Sequence, residues 1–399
     1  MNIFLLNQYY APDEAATAQI SSDLGAALAA DGHRVTAICG DRSYADPSRR
    51  YPLDEEIEGV RIKRVRTTGF GRGSALRRSV DYFAFVSGAT FSMMRGEKPD
   101  VIISLTTPPM IGLAASSIAR LRKAKSVLWS MDVYPDLLYE LGVLRRESIS
   151  GRTLKWLSSK TLRSQDAVVA LGDSMAGRLR TAGARRIEVI HNWSDEDAIV
   201  PIATTQCGLR EKWGWGGRFV VLYSGNLGLT HEFDTILEAA HRLRDAEDVL
   251  FAFVGAGPRL AYVERRRDEL ELSNVDIRRP VSRELLSQNL AAGDVHVITL
   301  KDAVSGLVVP SKIYGILAAG RPTLYIGPPQ GEIFDILAAG RCGTAVRNGD
   351  VDALLAAIER YRHDAVSRAE EGKRARELFV NRFTKRRGIA QFRAVVESL

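Results

Sequence analysis

Short apolar runs alternate along most of the chain with longer stretches whose apolar residues fall at helical spacing. NIFLLN (2–7) precedes a helical pattern over 15–30, and HRVTAIC (33–39) follows it. That βα alternation predicts a parallel sheet with crossover helices. Gly59–Arg66, VIISL (101–105), SVLWS (126–130), AVVAL (167–171) and RIEVIHN (186–192) continue the series, with helices over 74–95 and Pro109–Leu121. The rhythm breaks over SDEDAIVPIATTQ (194–206), which is polar and without period and predicts a linker. It then restarts with RFVVLYSG (218–225), VLFAFVGAG (249–257), VDIRRPV (275–281), DVHVITL, PTLYIG (322–327) and CGTAV. Helical stretches lie over 231–243, 259–270, 283–291, 311–319 and 330–339, and the chain closes with three more, near 350–361, 363–379 and 385–398. The predicted fold class is α/β: two Rossmann-like, doubly wound domains facing across a cleft, 1–192 and 205–380, with 383–399 rejoining the first. In such sheets ligands bind beyond the C-terminal strand ends.

Composition narrows the function classes. At 399 residues with 45% hydrophobic and 26% charged content, the chain reads as a soluble two-domain protein. Its net charge of +7 is spread over both halves, so no basic tail or stripe points to nucleic acid, although the excess suits anionic partners. Cys39, Cys207 and Cys342 are far apart and form no CxxC, which predicts a reducing, cytoplasmic setting. Six histidines show no HxxxH or HExxH spacing, so no metal site is expected. The N-terminal run lacks a basic n-region and reads as a strand and not a signal peptide. Val101–Ala119 approaches the length of a membrane span, but Pro108-Pro109 divides it into strand and helix.

The most informative stretch is Leu300–Pro322. A loop with Gly306 leads to Pro310-Ser311-Lys312 and a short helix closed by Gly320 and Pro322. A hydroxyl and a cation at a helix start suit a phosphate, although Ser311 could equally cap its own helix while Lys312 points to water. Gly225-Asn226 follows a buried strand and precedes a helix, offering amide groups with no Cβ in the way; the plainer reading is a strand-to-helix turn. Gly255, Gly257 and Pro258 with Arg259 make a second glycine turn, which is not GxGxxG and on its own is weak evidence of a dinucleotide site. Asp132 sits at a strand end in SMDVYPD, where it either faces the ligand or caps the next helix. Asp13 and Glu14 lie in the first loop, as site acids or as solvated ones.

Taken together, the motifs resemble retaining glycosyltransferases of the GT-B fold, family 4, in the subgroup for bacterial surface polysaccharides (L-fucosamine and colanic acid type). QYYAPDEAATAQ with LAADGHRVTAICG is similar to that family's first loop, helix and second strand. SLTTPPMIGLAA and WSMDVYPDLLYELGVL are similar to later strand ends, and VIHNWSDEDAIVP to its hinge. YSGNLGLTHEFDTILEAA is similar to its phosphate loop and VPSKIYGILAAGRP to its donor-site helix.

The resemblance implies a UDP-sugar co-substrate and no other cofactor. It places the donor against Gly225, Asn226, Gly306, Ser311, Lys312 and Tyr314, with the base at Arg279–Val281 and the ribose at Glu332. It also implies an acceptor near Asp13, Glu14, Thr17 and Asp132. Asp132 would orient the acceptor hydroxyl or stabilise an oxocarbenium charge, and Lys312 would meet the leaving group. The implied acceptor is a polyprenyl-diphosphate-linked glycan at the inner face of the cytoplasmic membrane. Residues 68–98, with Arg72, Arg77, Arg78 and Arg95 among Phe83, Phe85, Phe91, Met93 and Met94, are the candidate lipid contact; the plainer reading is a helix covering the sheet.

Departures from the family pattern are equally informative. The family's paired glutamates fall at Leu307 and Gly315, and its phosphate-loop arginine at Asn226, with no lysine following. Lys312 would replace the lost charge, with Arg259 or Arg279 assisting. Two other readings follow: a non-hydrolysing UDP-sugar epimerase of the same fold, or a catalytically silent nucleotide-sugar-binding subunit.

Overall fold

The computed structural model describes residues 1–69 and 75–399, with side chains omitted at 75–78. It divides into two compact units, Met1–His191 with Arg386–Leu399, and Asn192–Lys385. Arg72 lies outside the described residues, as do the side chains of Arg77 and Arg78.

In the first unit, β1 (Asn2–Leu6), α1 (Ala16–Ala30), β2 (Arg34–Gly40), β3 (Asp54–Ile57), β4 (Val60–Val65) and α2 (Ala75–Arg95) come first. They are followed by β5 (Val101–Leu105), α3 (Ile111–Arg122), β6 (Lys125–Trp129), α4 (Asp136–Glu140), α5 (Ile149–Ser164), β7 (Ala167–Ala170), α6 (Asp173–Ala182) and β8 (Ile187–Val189). The sheet order is β3-β4-β2-β1-β5-β6-β7-β8, parallel except for the β3–β4 hairpin. β1, β5 and β6 are buried along most of their length, which is why they read as unbroken apolar runs.

β3 escapes the sequence pattern because DEEI carries one apolar residue. Its pairing is set by the turn, where Glu58 and Gly59 both take positive φ, 52° and 75°. α5 escapes it too, because the positions it buries include Gly151, Ser158 and Thr161.

The second unit runs α7 (Gly208–Lys212), β9 (Phe219–Ser224), α8 (Asp234–Arg242), β10 (Val249–Val254), α9 (Leu260–Glu269), β11 (Val275–Arg278), α10 (Leu286–Ala291) and β12 (Val295–Thr299). It continues with α11 (Lys312–Ala318), β13 (Thr323–Ile326), α12 (Glu332–Gly340), β14 (Gly343–Val346), α13 (Val351–His363) and α14 (Ala365–Arg382). Its sheet is wholly parallel, ordered β11-β10-β9-β12-β13-β14. Phe251, Phe253, Tyr223 and Phe233 fill one face of it, and Trp215, Leu222 and Leu250 the other.

Polar residues 194–206 are tied down within this unit. Ser194 exchanges backbone hydrogen bonds with Phe383 and Lys385, and Val200 with the Ser287 hydroxyl. The last helix, α15 (Lys385–Glu397), belongs to the first unit from Arg386 onward, where Phe392 packs at a tilt against Trp129, 4.3 Å between ring centroids, and Arg393 pairs with Asp31.

Candidate functional site

The strand order of the second sheet reverses between β9 and β12, and the loops that leave these two neighbours must diverge there. Gly225 leaves β9 with φ at 122°, a conformation that an L side chain rarely adopts. Its amide donates to the Val254 carbonyl, Leu227 donates to Ala256, and Arg259 donates back to Leu227. Two glycines make this zipper possible. A Cβ on Gly255 would stand 2.0 Å from the Gly225 carbonyl oxygen, and one on Gly257 2.5 Å from that of Leu227. Gly255 and Gly257 thus serve backbone approach.

From the β12 side, the loop through Gly306 (φ 70°) delivers Lys312 as the first residue of α11. A Cβ on Gly225 would lie 3.7 Å from the Lys312 Nζ, so the lysine crosses directly over the glycine turn. The Nζ stands 3.4 Å above the centre of the Tyr223 ring and has no hydrogen-bond partner among the described residues. Burial drives its pKa well below the ordinary lysine value. A buried ammonium whose only support is a ring face costs free energy unless an anion meets it.

The neighbours are arranged for that. Tyr223 donates its hydroxyl to the Asn226 carbonyl, which fixes the ring beneath the lysine. His231 packs edge-on against Tyr223, 5.8 Å between centroids, and its Nδ1 lies 2.6 Å from the Thr299 carbonyl. That contact requires Nδ1 to donate, leaving Nε2 unprotonated. Burial, reinforced by Lys312, lowers the His231 pKa to about 3, so this imidazole is neutral. With His231 neutral, Lys312 is the group of this cluster that becomes a cation when an anion meets it.

Other predicted residues fall at varied distances from this centre. Ser311 is exposed and makes no capping bond, so its hydroxyl is not used by its own helix. Tyr314 is buried, 5.3 Å from Phe383, with its phenol pKa raised by burial and by Glu332. Glu332 itself is buried as the first residue of α12. The Arg259 guanidinium stacks 3.8 Å over Tyr262. Arg279 is exposed beyond β11, and Val281 packs against the core under β9 and β10.

In the first unit, Asp132 follows β6 in a turn held by Thr106, whose hydroxyl accepts from the Met131 and Asp132 amides. Burial raises its pKa to about 6, moderated by a 3.4 Å hydrogen bond from the Tyr134 hydroxyl. Of the two alternatives for Asp13, the solvated acid is the one the structure contradicts. It is buried, and its two oxygens accept from the Ala15 and Tyr44 amides at 2.9 and 2.6 Å, so it organises its own loop. Glu14 is exposed, and Thr17 is half-buried in the first turn of α1.

Tyr223 and His231 were not singled out from the sequence. His231 stands within the phosphate-loop motif, which offered a signal; Tyr223 is one aromatic among several in a buried strand, which did not.

Comparison with known proteins finds matches for both units. Residues 16–193 match the glycosyl transferase 4-like domain, and residues 218–364 match glycosyl transferases group 1. The chain is 29% identical over 269 residues to the probable glycosyltransferase WbjE of Pseudomonas aeruginosa, covering 66% of each chain. It is 26% identical over 396 residues to the putative colanic acid biosynthesis glycosyl transferase WcaI of Escherichia coli K12, covering 92% of this chain and 95% of the other. Among solved structures, Anabaena Alr3699/HepE in complex with UDP-glucose superposes with a TM-score of 0.75 at 17% identity, covering all of both chains.

Proposed function

The chain belongs to the family 4 glycosyltransferases of the GT-B fold, and from that premise we propose that it moves a sugar from a UDP-sugar, with retention, onto a polyprenyl-diphosphate-linked glycan in surface-polysaccharide synthesis. The observation that carries the donor side is the Lys312 ammonium, buried without a counter-charge beside the Gly225 turn. A diphosphate there would satisfy the ammonium, and the cation in turn would stabilise the charge that builds on the leaving group. This arrangement takes the place of the family's missing glutamate pair and loop arginine, and it assigns no role to a metal. Names of relatives support the pathway: WcaI is described for colanic acid biosynthesis, and HepE was solved with UDP-glucose.

On the acceptor side, Asp132 is the acid best suited to orient a hydroxyl or to oppose an oxocarbenium charge, since its carboxyl titrates close to neutrality. Transfer at a membrane would be peripheral, because no helix among the described residues is long and apolar enough to cross one.

The test is UDP release from a panel of UDP-sugars with a membrane extract as acceptor, alongside thermal shift with UDP. Turnover into a lipid-extractable product with retained anomeric configuration is expected. UDP binding without turnover favours the silent subunit, and a product inverted at C2 favours the epimerase.

A further inference from the structure

A second side chain beside Lys312 lacks a partner at one of its polar atoms, and its chemistry is the reverse of a cation's. His231 is buried, with 7% of its surface exposed. The Thr299 carbonyl has no proton to give, so Nδ1 must donate to it, and Nε2 carries a lone pair and no hydrogen. Among the described residues, none donates to that lone pair. The donors nearby are otherwise placed. The Tyr223 hydroxyl goes to the Asn226 carbonyl, the Lys301 amide goes to the Thr230 carbonyl, and the Lys312 ammonium makes no hydrogen bond. A Cβ on Gly228 would lie 3.4 Å from His231 Cδ2 and 3.8 Å from Nε2. This edge of the ring therefore faces the turn that begins at Gly225, and Gly228 puts no side chain over it.

The lysine and the histidine can take different things. Lys312 has hydrogens to give and no lone pair when charged, so it suits an anionic oxygen. Nε2 accepts and gives nothing. A diphosphate oxygen there would set lone pair against lone pair, whereas a hydroxyl is its complement. The two groups share one support, with Nζ 3.4 Å above the Tyr223 ring centre and the imidazole edge-on to the same ring. A single ligand that carries a phosphate and a hydroxyl close together satisfies both, and a nucleotide-sugar is such a ligand.

We propose that His231 is a specificity-determining residue, its Nε2 accepting a hydrogen bond from a hydroxyl of the nucleotide-sugar beside the diphosphate that Lys312 meets. The proposal rests on the donor reading above and deepens it, by giving this residue of the glycine loop to a sugar and not to a phosphate. Ribose and the transferred sugar both carry the required group. A site that accepts from a hydroxyl disfavours the analogue lacking it, because the buried acceptor is then left unpaired.

The test is nuclear magnetic resonance of the full chain with isotope-labelled histidine, reading the ring nitrogens during titration with UDP and with UDP-glucose. Calorimetry follows the same titrations. In the free protein His231 should show a protonated Nδ1 and a bare Nε2. Binding should move the Nε2 resonance upfield while Nδ1 keeps its proton. Movement with UDP assigns the ribose as the source, and movement that needs UDP-glucose assigns the transferred sugar. His231→Asn places an amide donor for Thr299 near the Nδ1 position and removes the acceptor. It identifies the resonance by its loss, and it should weaken about tenfold the binding of whichever ligand moves Nε2. The wild-type spectrum decides the matter even where this variant does not fold.

Protonation of Nε2 on binding would put an anion there and overturn the proposal, as would a protonated Nε2 in the free protein. An Nε2 signal unmoved by ligands that calorimetry shows to bind defeats this inference and leaves the donor reading standing. Failure of both UDP and UDP-glucose to bind defeats the two together.

Discussion

The two units bury opposite charges in the same kind of place. Each is an α/β sheet with an ionisable side chain just past a strand end, Asp132 after β6 and Lys312 after the β12 loop. Burial pushes each toward its neutral form, raising the carboxyl to about 6 and lowering the ammonium well below its usual range. Their supports differ. Asp132 has a hydroxyl donor and keeps some exposure, and its carboxyl is raised to about 6. Lys312 has a ring face and a neutral imidazole beside it, and its Nζ has no hydrogen-bond partner among the described residues. In the proposed reaction the carboxyl would serve the reacting carbon and the lysine the leaving group.

The largest expected effect comes from breaking the first. Asp132→Asn should lower turnover by about 10²–10³ while UDP affinity stays within about twofold. Turnover of the wild type should also fall as pH drops below about 6, and that acid limb should vanish in the variant. A large loss of UDP binding in Asp132→Asn would erase the division of labour.

Next is Lys312→Met, for which about 10²-fold weaker UDP binding by calorimetry is expected. Lys312→Arg should recover part of it if charge is what matters. Unchanged donor affinity in Lys312→Met would move the phosphate site elsewhere.

A sharper measurement concerns protons. With its pKa lowered in the folded protein, Lys312 is unprotonated above that value, and an arriving diphosphate restores its charge. Binding at a pH where the lysine of the free protein is neutral should therefore take up a proton, seen as a calorimetric enthalpy that changes with the ionisation enthalpy of the buffer. Loss of that dependence in Lys312→Met is expected; its persistence would assign the proton to another group.

The smallest effect is on stability. The folded state binds the Asp132 proton more tightly than the unfolded chain, so this residue's contribution is favourable at low pH. It is lost as pH rises from about 4 through about 6. Asp132→Asn should therefore be more stable than wild type by about 1–2 kcal/mol at pH 7.5 and nearly equal near pH 4, by denaturant midpoints.

Fully buried parallel strands announce themselves as apolar runs, and Gly, Pro and Lys at the β12–α11 connection mark a phosphate-like turn, so the α/β class and the pairing of motifs were legible. The same reasoning gave no hint of β3, whose pairing depends on two positive-φ residues, nor of α5, which buries glycine, serine and threonine. It also left Asp13 open between ligand and solvent, when two backbone amides, one of them 31 residues away at Tyr44, take both of its oxygens.

Hydrophobic periodicity is a local property, and through it the chain alone determined its class, its two βα series and the glycines its loops require. Which loops become neighbours is not local. Only the strand order, with β9 placed beside β12, laid Lys312 over Gly225 and Tyr223, because a reversal in a sheet brings together residues about ninety positions apart that no spacing in the sequence connects.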